Sequence, residues 1–276
     1  MAPSELERGA APRPTAAGLA SRIKANVGMP WLEKTVDGFV AGNPETQATG
    51  IAVVMMASLP ALEEAVRRGL NVVITHEPTY WDHHDDASTL RGDALYKIKT
   101  DFIEKNDLAV FHFHDHWHRR KPDGIAYGLA RKLGWVGRQT SSDFLSFSFP
   151  GKGLGDLADE LASKLGACAV RAIGDRGMKA ERVMTSWGFM SRDPGIALLA
   201  NPEVDVVLAG ETHEWEAVEY ALDASAAGMR KGLVVLGHVA SERAGMEYCA
   251  EWLRELISEV PVEYVEQPEP YWLAAR

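Results

Sequence analysis

The sequence predicts an α/β protein built from two α/β subdomains, each with a central sheet flanked by helices. Short apolar runs alternate with amphipathic stretches from residue 50 to residue 260, which is typical of parallel strands joined by helices. This alternation occurs in both halves of the chain. The 276 residues are 46% hydrophobic and 25% charged, which indicates a sizeable core and room for about two domains.

In the first half, strands are predicted where apolar residues run together, and helices where they recur every three or four positions. The helix 58–69 has a serine and a proline at its start and a glycine at its end. The helix 93–106 is predicted to bury the face that carries Leu95, Ile98, Phe102 and Ile103. The predicted strands are 50–56, 71–77 and 108–114, and the predicted helices are 58–69, 93–106 and 122–134.

In the second half, the same criteria give five strands and three helices. The strands are 144–149, 167–174, 181–188, 204–211 and 232–238, and the helices are 153–166, 214–228 and 241–260. We expect residues 1–20 to form a flexible leader and residues 261–276, rich in Pro and Glu, to run over the surface. The predicted subdomains are therefore 21–140 and 141–276, intertwined in one unit with no inserted domain.

Charge and cysteine content exclude several classes of function. The formal net charge is −10, from 29 Lys and Arg against 39 Asp and Glu, which disfavours binding to nucleic acid or to an anionic membrane. No apolar run approaches the ~18–20 residues that a membrane span needs. Two cysteines, at 168 and 249, cannot form a disulfide framework, so we expect a cytoplasmic protein in a reducing environment.

Potential metal ligands stand where four of the predicted strands end. In open α/β sheets, the carboxyl ends of the strands line the crevice in which ligands bind. Imidazole and carboxylate groups without a nearby thiolate suit Zn, Fe, Mn or Ni. The spacing of His238 and Glu242 also places both on one face of a helix. The residues at the strand ends are His76 and Glu77, the cluster His112, His114, His116 and His118, then Glu211 and His213, and finally His238.

A single histidine at a strand end has a simpler interpretation as a hydrogen-bonded core or rim residue. His83 and His84 lie in an acidic loop, and we expect them at the solvated surface, as we do His116. The agreement of four separate strand ends is what favours a shared metal site between the two subdomains.

Several motifs together resemble the Nif-three-like dinuclear metal-centre proteins. They are the segments THEP (75–78), HFHDHWH (112–118) and GHVASE (237–242). The resemblance runs from about residue 20 to residue 258, and it implies two α/β subdomains with metals between them. It also implies assembly with other copies of the chain, often as a toroidal hexamer.

Carried over position by position, the family's ligands fall on six residues of this chain. They are His76, Glu77, His114, His118, His238 and Glu242. The sequence departs from the family twice, because Glu77 stands for a histidine and His118 for an aspartate. The set still holds four histidines and two carboxylates. A neutral imidazole, such as that of His118, cannot bridge two ions. The site is therefore compatible with one metal per chain or with two unequal metals.

The chemistry that such a site suggests is metal-dependent hydrolysis of an unknown small molecule, anionic or nucleotide-like. Glu211 and His213 are candidates to orient a ligand or to act as general acid or base. Arg119, Arg120 and Lys121 follow the histidine cluster and are candidates to hold an anionic substrate, unless they form a solvated basic loop. The alternatives are GTP cyclohydrolase I type 2 activity, which the family resemblance suggests, and a non-enzymatic metal-binding or partner-binding assembly protein.

Overall fold

The fold consists of two five-stranded sheets with helices around and between them, as seen in a computed structural model that describes residues 13–274. The strands are β1 (Gly38–Ala41), β2 (Ile51–Met56), β3 (Val72–Glu77), β4 (Ala109–His112), β5 (Ser146–Ser148), β6 (Arg171–Ile173), β7 (Arg182–Phe189), β8 (Val206–Glu211), β9 (Gly232–Val235) and β10 (Val262–Tyr264). The helices are α1 (Ala16–Asn26), α2 (Leu59–Arg67), α3 (Ala94–Lys105), α4 (Asp115–Arg119), α5 (Gly124–Leu133), α6 (Leu154–Leu165), α7 (Arg192–Ala200), α8 (Glu219–Ala226) and α9 (His238–Leu256). A short 3₁₀ turn spans Ser88–Leu90, and a π-helical turn, Glu214–Val218, precedes α8.

The first sheet has the strand order β1-β4-β3-β2-β10. Strands β10, β2, β3 and β4 are parallel, and β1 is antiparallel to β4 at the edge. Thr75 of β3 pairs with His112 of β4, so the carboxyl ends of these two strands lie side by side. The histidines that follow them are thereby brought to one edge of the sheet.

The second sheet has the strand order β5-β7-β8-β9-β6. Strands β7, β8 and β9 are parallel, and antiparallel strands close both edges. The pairing of β8 and β9 continues beyond β9, because the N–H of Gly237 donates to the carbonyl of Gly210 at 2.8 Å. The start of α9 is therefore fixed beside the end of β8.

Helices α5 and α9 pack closely against each other, and α9 also contacts strands of both sheets. A Cβ atom on Gly128 of α5 would lie 2.6 Å from the Cα of Gly245 in α9. A Cβ on Gly245 would lie 2.5 Å from the Cα of Ile125. Both positions need glycine because the two helix backbones touch, and this contact joins the two halves of the chain.

The predictions for the two ends of the chain need correction. Residues 1–12 lie outside the described part, but α1 begins at Ala16, and its Leu19 is fully buried, so 16–20 are not a flexible leader. Residues 262–264 do not run over the surface, since they form β10 beside β2. Because β10 joins the first sheet, dividing the chain at residue 140 separates this strand from its own sheet.

The predicted inner face of α3 is also wrong in part. Ile103 is buried as predicted, but Leu95 and Ile98 are about half exposed. Lys99 turns inward instead, because its ammonium group donates to the carbonyl of Thr79 and lies 5.1 Å from the ring centre of Trp81. Within residues 13–274, none of the helices is long and apolar enough to cross a membrane.

Candidate metal centre

Four histidines and two carboxylates lie close together between the two sheets. They belong to three different parts of the fold. His76 and Glu77 end β3, and His114 and His118 lie at the start and within α4, directly after β4. The remaining two residues come from α9, where Glu242 stands one turn after the first residue, His238. The six side chains that lie together are those of His76, Glu77, His114, His118, His238 and Glu242.

The inner part of the cluster is formed by two histidines and two glutamates. The Nε2 atom of His238 lies 3.2 Å from Oε1 of Glu77 and 3.2 Å from Oε2 of Glu242. The Nε2 atom of His76 lies 3.4 Å from the same Oε2 of Glu242. His76 is fully buried, and Glu242 nearly so. Such separations are those of donor atoms facing a common point.

His114 and His118 complete the cluster, also with their Nε2 atoms turned inward. Nε2 of His114 lies 4.0 Å from Oε1 of Glu77, and Nε2 of His118 lies 3.9 Å from Oε1 of Glu242. The ring centres of His76, His114 and His118 are 4.7–5.0 Å apart. All four histidines therefore present the same ring nitrogen to the centre.

The outer nitrogen, Nδ1, of three of these histidines faces a carboxylate. The pairs are His238 with Glu211 at 3.0 Å, His114 with Asp115 at 3.1 Å, and His118 with Asp123 at 3.1 Å. A carboxylate on the outer nitrogen fixes the ring orientation and makes the inner nitrogen a better metal ligand. This is the arrangement that surrounds histidine ligands in metal sites.

The ring of His76 gives the sharpest test of whether a metal fits. Neither of its nitrogens forms a hydrogen bond within the described residues, although the ring is fully buried. An unpaired buried nitrogen costs free energy, roughly 1–3 kcal/mol. A cation coordinated at Nε2 would remove that cost for this atom. The donor set of imidazoles and carboxylates suits Zn, Fe, Mn or Ni.

The carboxylates of the cluster favour positive charge at its centre, which a proton on His238 supplies in the absence of a metal and which a metal ion would supply by displacing that proton. Burial by itself would lower the pKa of His238, but hydrogen bonds to three carboxylates outweigh it and raise that pKa to about 12. Although burial favours a neutral carboxyl, His238 helps to hold the pKa of Glu242 well below its ordinary value. Burial and the two neighbouring histidines lower the pKa of His114 to about 4, so this ring is neutral and its lone pair is free.

Gly188 makes room for the cluster, and Gly237 shapes the backbone beside it. Gly188, at the end of β7, has a φ of +61°, and a Cβ there would lie 2.5 Å from Oε1 of Glu242. Gly237 has a φ of +95° and turns the chain sharply from β9 into α9. The hydroxyl of Ser241 accepts a hydrogen bond from the N–H of Gly188 and donates to the carbonyl of His238. The close approach of β7 to α9 thus depends on the absence of a side chain at Gly188.

The family of the chain follows from comparison with known proteins. The model of the family Duf34/NIF3 (NGG1p interacting factor 3) matches residues 31–270. The chain belongs to this family. A curated relative from Escherichia coli (strain K12), named GTP cyclohydrolase 1 type 2 homolog, is 28% identical over 221 residues, which are 78% of this chain and 82% of the relative.

Solved structures share the fold. A hypothetical protein from Staphylococcus aureus superposes with a TM-score of 0.74 at 17% identity, covering 95% of this chain and all of the other. A Bacillus cereus protein described as related to NIF3 gives 0.73 at 14% identity, covering 96% of this chain and all of the other. The predicted α/β fold with two sheets is thereby confirmed as that of NIF3 proteins.

Asp37 organises the α4 segment of this NIF3 protein, and no sequence signal pointed to it. Its buried carboxylate accepts hydrogen bonds from three consecutive backbone N–H groups, those of residues 114, 115 and 116, at 2.7–2.9 Å. It also binds Nδ1 of His116 at 2.6 Å. The ring of Trp31 stacks on His116 with centres 3.6 Å apart. The expectation that His116 is solvated is wrong, because this ring is a buried support.

Two other histidines lie near the cluster, His112 in the core and His83 at the surface. His112 is buried, and its Nε2 donates to the carbonyl of His76 at 2.9 Å, so it supports the backbone of the cluster. His83 is exposed, as expected, but its ring centre lies 5.1 Å from that of His114. His83, His114 and Asp115 form a further group whose ligand atoms lie within 4.8 Å of one another. The acidic loop thus reaches the rim of the cluster.

Of the predicted catalytic pair, the structure brings only Glu211 to the cluster, through His238. His213 is half exposed, and its Nδ1 lies 3.2 Å from Oε2 of Glu216. Its ring stacks on that of Trp215 with centres 4.5 Å apart. Its ring also lies 5.2 Å, centre to centre, from that of Phe189 at the end of β7, so its contacts are with its own turn and β7 and not with the ligand set.

The three predicted substrate-binding residues differ in their surroundings. Arg119 and Lys121 are exposed. Arg120 is partly buried, with its guanidinium 4.6 Å from the ring centre of Trp117 and an Nη1 donating to the hydroxyl of Tyr248 at 3.3 Å. Stacking on these rings gives Arg120 a packing role, so Arg119 and Lys121 are the two free to meet a ligand in solution.

Proposed function

We propose that this NIF3 protein is a metal-dependent hydrolase whose metal lies among His76, Glu77, His114, His118, His238 and Glu242. The observation that carries the proposal is the convergence of four Nε2 atoms and two carboxylates around the buried, unbonded ring of His76. Bound there, a divalent metal would lower the pKa of a coordinated water from 15.7 to about 7, as zinc does, and so supply a nucleophile at neutral pH.

The positions of the carboxylates bear on the number of metals. Glu77 and Glu242 both lie 3.2 Å from Nε2 of His238, at the inner part of the cluster. Within the ligand set, only these two residues carry oxygens able to link two ions. We propose one metal, or two unequal ones, with Zn, Fe, Mn and Ni as candidates.

The protein's own groups would hold and orient the reacting molecule. Glu211 fixes the ring of His238 and, being half exposed, also faces solvent beside the cluster, where it could accept a proton. Arg119 and Lys121 are exposed just beyond His118 and would attract an anionic substrate. Burial of His76 and Glu242 would keep bulk water away from the inner part of the site.

A second candidate is GTP cyclohydrolase activity, favoured by the name of the E. coli relative. Opening of a purine ring begins with addition of water to a ring carbon, so the same site would serve. A third candidate is a non-enzymatic metal-binding or partner-binding assembly protein, in which protein donors fill the whole coordination shell and leave no position for water.

The test is a hydrolysis assay on protein loaded in turn with Zn, Fe, Mn or Ni, with nucleotides, GTP included, and simple phosphoesters as substrates. Product formation by the wild type, with at least ~100-fold less by Glu242→Gln, would support the proposal. Equal rates in both proteins, or no product with any of the four metals, would contradict a hydrolase and favour the assembly protein.

A further inference from the structure

A cavity of about 510 Å³ opens directly beside the metal cluster. It lies at the carboxyl ends of β8 and β9, and His238 and Glu211 form part of its wall. Sites for small molecules occupy roughly 300–1,000 Å³ and often lie at the carboxyl ends of strands. The cavity is therefore of a suitable size and place for the substrate, an inference that rests on the proposed function.

The far wall of the cavity is made by residues 269–273, which belong to a segment, residues 265–273, that we name the C-terminal strap. Its Gln267 is buried and accepts a hydrogen bond from the N–H of Met56, at the end of β2, at 2.6 Å. Its Glu269 accepts one from the N–H of Cys168, just before β6, at 2.7 Å. The strap is thus tied to the first sheet and then to the second, and it crosses the opening between them.

Beyond the last of these ties, the C-terminal strap presents three consecutive apolar side chains to the cavity. Tyr271, Trp272 and Leu273 line it and are 74%, 84% and 63% exposed. Exposed apolar groups next to one another commonly mark a ligand or partner site. Because they stand across the same cavity as His238, a ligand that covers them would also reach the cluster.

Polar groups around these side chains indicate which class of ligand fits the cavity. The carboxylates of Glu211 and Glu269 lie in the wall and can accept hydrogen bonds from N–H groups. Arg171 lies in the same wall, and its only recorded partner among the described residues is the exposed carboxylate of Glu214. Each of these three groups has one partner within the described residues, and an aliphatic ligand would leave their further hydrogen-bonding capacity unused. Aromatic faces, acceptors and one cation together suit a flat ring with N–H groups and an anionic substituent.

We propose that the cavity binds a planar nitrogen heterocycle stacked on Tyr271 and Trp272 of the C-terminal strap. Its N–H groups bond to Glu211 or Glu269, and an anionic substituent lies near Arg171. The edge of the ring then faces His238. The strap selects ligands by ring stacking.

The test is titration calorimetry on the zinc-loaded full chain, with guanosine 5′-monophosphate as the probe and ribose 5-phosphate as the probe without a ring. The variant Tyr271→Ala/Trp272→Ala should bind the nucleotide at least ~10-fold more weakly while keeping the zinc content of the wild type. Trp215→Ala is the matched control, because Trp215 is also 73% exposed but stacks on His213 and does not line the cavity. It should bind as the wild type does.

Three results would overturn the proposal: no binding of the nucleotide, equal binding by the double variant, or equally tight binding of ribose 5-phosphate. Binding of the nucleotide can be measured without any hydrolysis. The hydrolase and the ring site can therefore be contradicted independently of each other. Nucleotide binding lost in the double variant, with no hydrolysis by any protein, supports the ring site and contradicts only the hydrolase. Hydrolysis of a nucleotide at the wild-type rate by the double variant contradicts only the ring site.

Discussion

Glu211 touches the cluster through a single contact, and this makes its role measurable. It lies 3.0 Å from Nδ1 of His238 and is half exposed. Removing a carboxylate that orients a metal-bound histidine typically costs about 10–100-fold in metal affinity. We expect Glu211→Gln to bind zinc about 10–100-fold more weakly in a competition titration. Glu214→Gln, an exposed carboxylate paired with Arg171, should not alter zinc affinity, and equal losses in both variants would contradict the orienting role.

Gly188 allows a prediction about space at the cluster. An alanine at this position would be strained, because the φ angle is +61°, and its Cβ would lie 2.5 Å from Oε1 of Glu242. Gly228→Ala is the control, because its φ is +77° and no described atom lies within 4 Å of the added Cβ. Both variants should lose about 1 kcal/mol of unfolding free energy from backbone strain. Only Gly188→Ala should also lose its metal, as elemental analysis would show; retained metal would contradict the crowding.

At the scale of residues, the ligand types at the strand ends could be read from the sequence, because parallel strands bring their carboxyl ends together. The residues that hold these ligands in place could not be predicted from the sequence. Asp37 lies about 77–79 residues before the backbone groups that it binds. Contacts over such separations depend on the folded chain, and no local pattern predicts them. The same reason explains why His116 was expected at the surface.

At the scale of elements, α3 shows how a buried charge changes a helix face. Burial lowers the pKa of Lys99 to about 8, from an ordinary 10.5. Below pH 8 the amine is charged in both the folded and the unfolded state, and the folded state bears the full cost of burying it. Above pH 10.5 it is neutral in both states, and the cost is absent. The wild type therefore gains stability relative to Lys99→Met as the pH rises from about 8 to 10.5.

The expected gain is about 3 kcal/mol over that range, measured by urea unfolding at several pH values. Lys97→Met on the same helix is the control, because Lys97 is largely exposed and bonds to Asp101. It should show a much smaller change with pH. A difference between wild type and Lys99→Met that is independent of pH would contradict the cost assigned to the buried amine.

Strands with continuous apolar runs could be predicted, whereas the helices α1 and α7 and several short elements could not. The apolar strands β2, β3 and β8 follow from runs of Val, Ile, Leu and Met, and the predicted and observed bounds differ by two residues or fewer. Strand β1 and helix α4 have only four and five residues, too few to show a period. The strand β10 has three residues and takes its place from pairing with β2. Pairing of this kind is decided by the whole fold.

At the scale of the molecule, the cluster joins two sheets that the sequence assigns to two intertwined subdomains. The first sheet supplies His76, Glu77 and, through α4, His114 and His118. The second sheet leads into α9, which carries the remaining ligands and packs against α5. The NIF3 fold thus places the carboxyl ends of strands from both sheets around one point, and the C-terminal strap crosses the same opening.

The central claim is that these six residues hold a metal, and elemental analysis of the purified protein tests it most directly. We expect close to one or two equivalents of Zn, Fe, Mn or Ni per chain in the wild type, and almost none in His76→Ala/His238→Ala. The double variant His83→Ala/His84→Ala, altered in the exposed acidic loop, should keep at least one equivalent. Circular dichroism should show that every variant keeps its fold. A wild type that binds no metal even after reconstitution, or a folded His76→Ala/His238→Ala variant that retains all of it, would contradict the account.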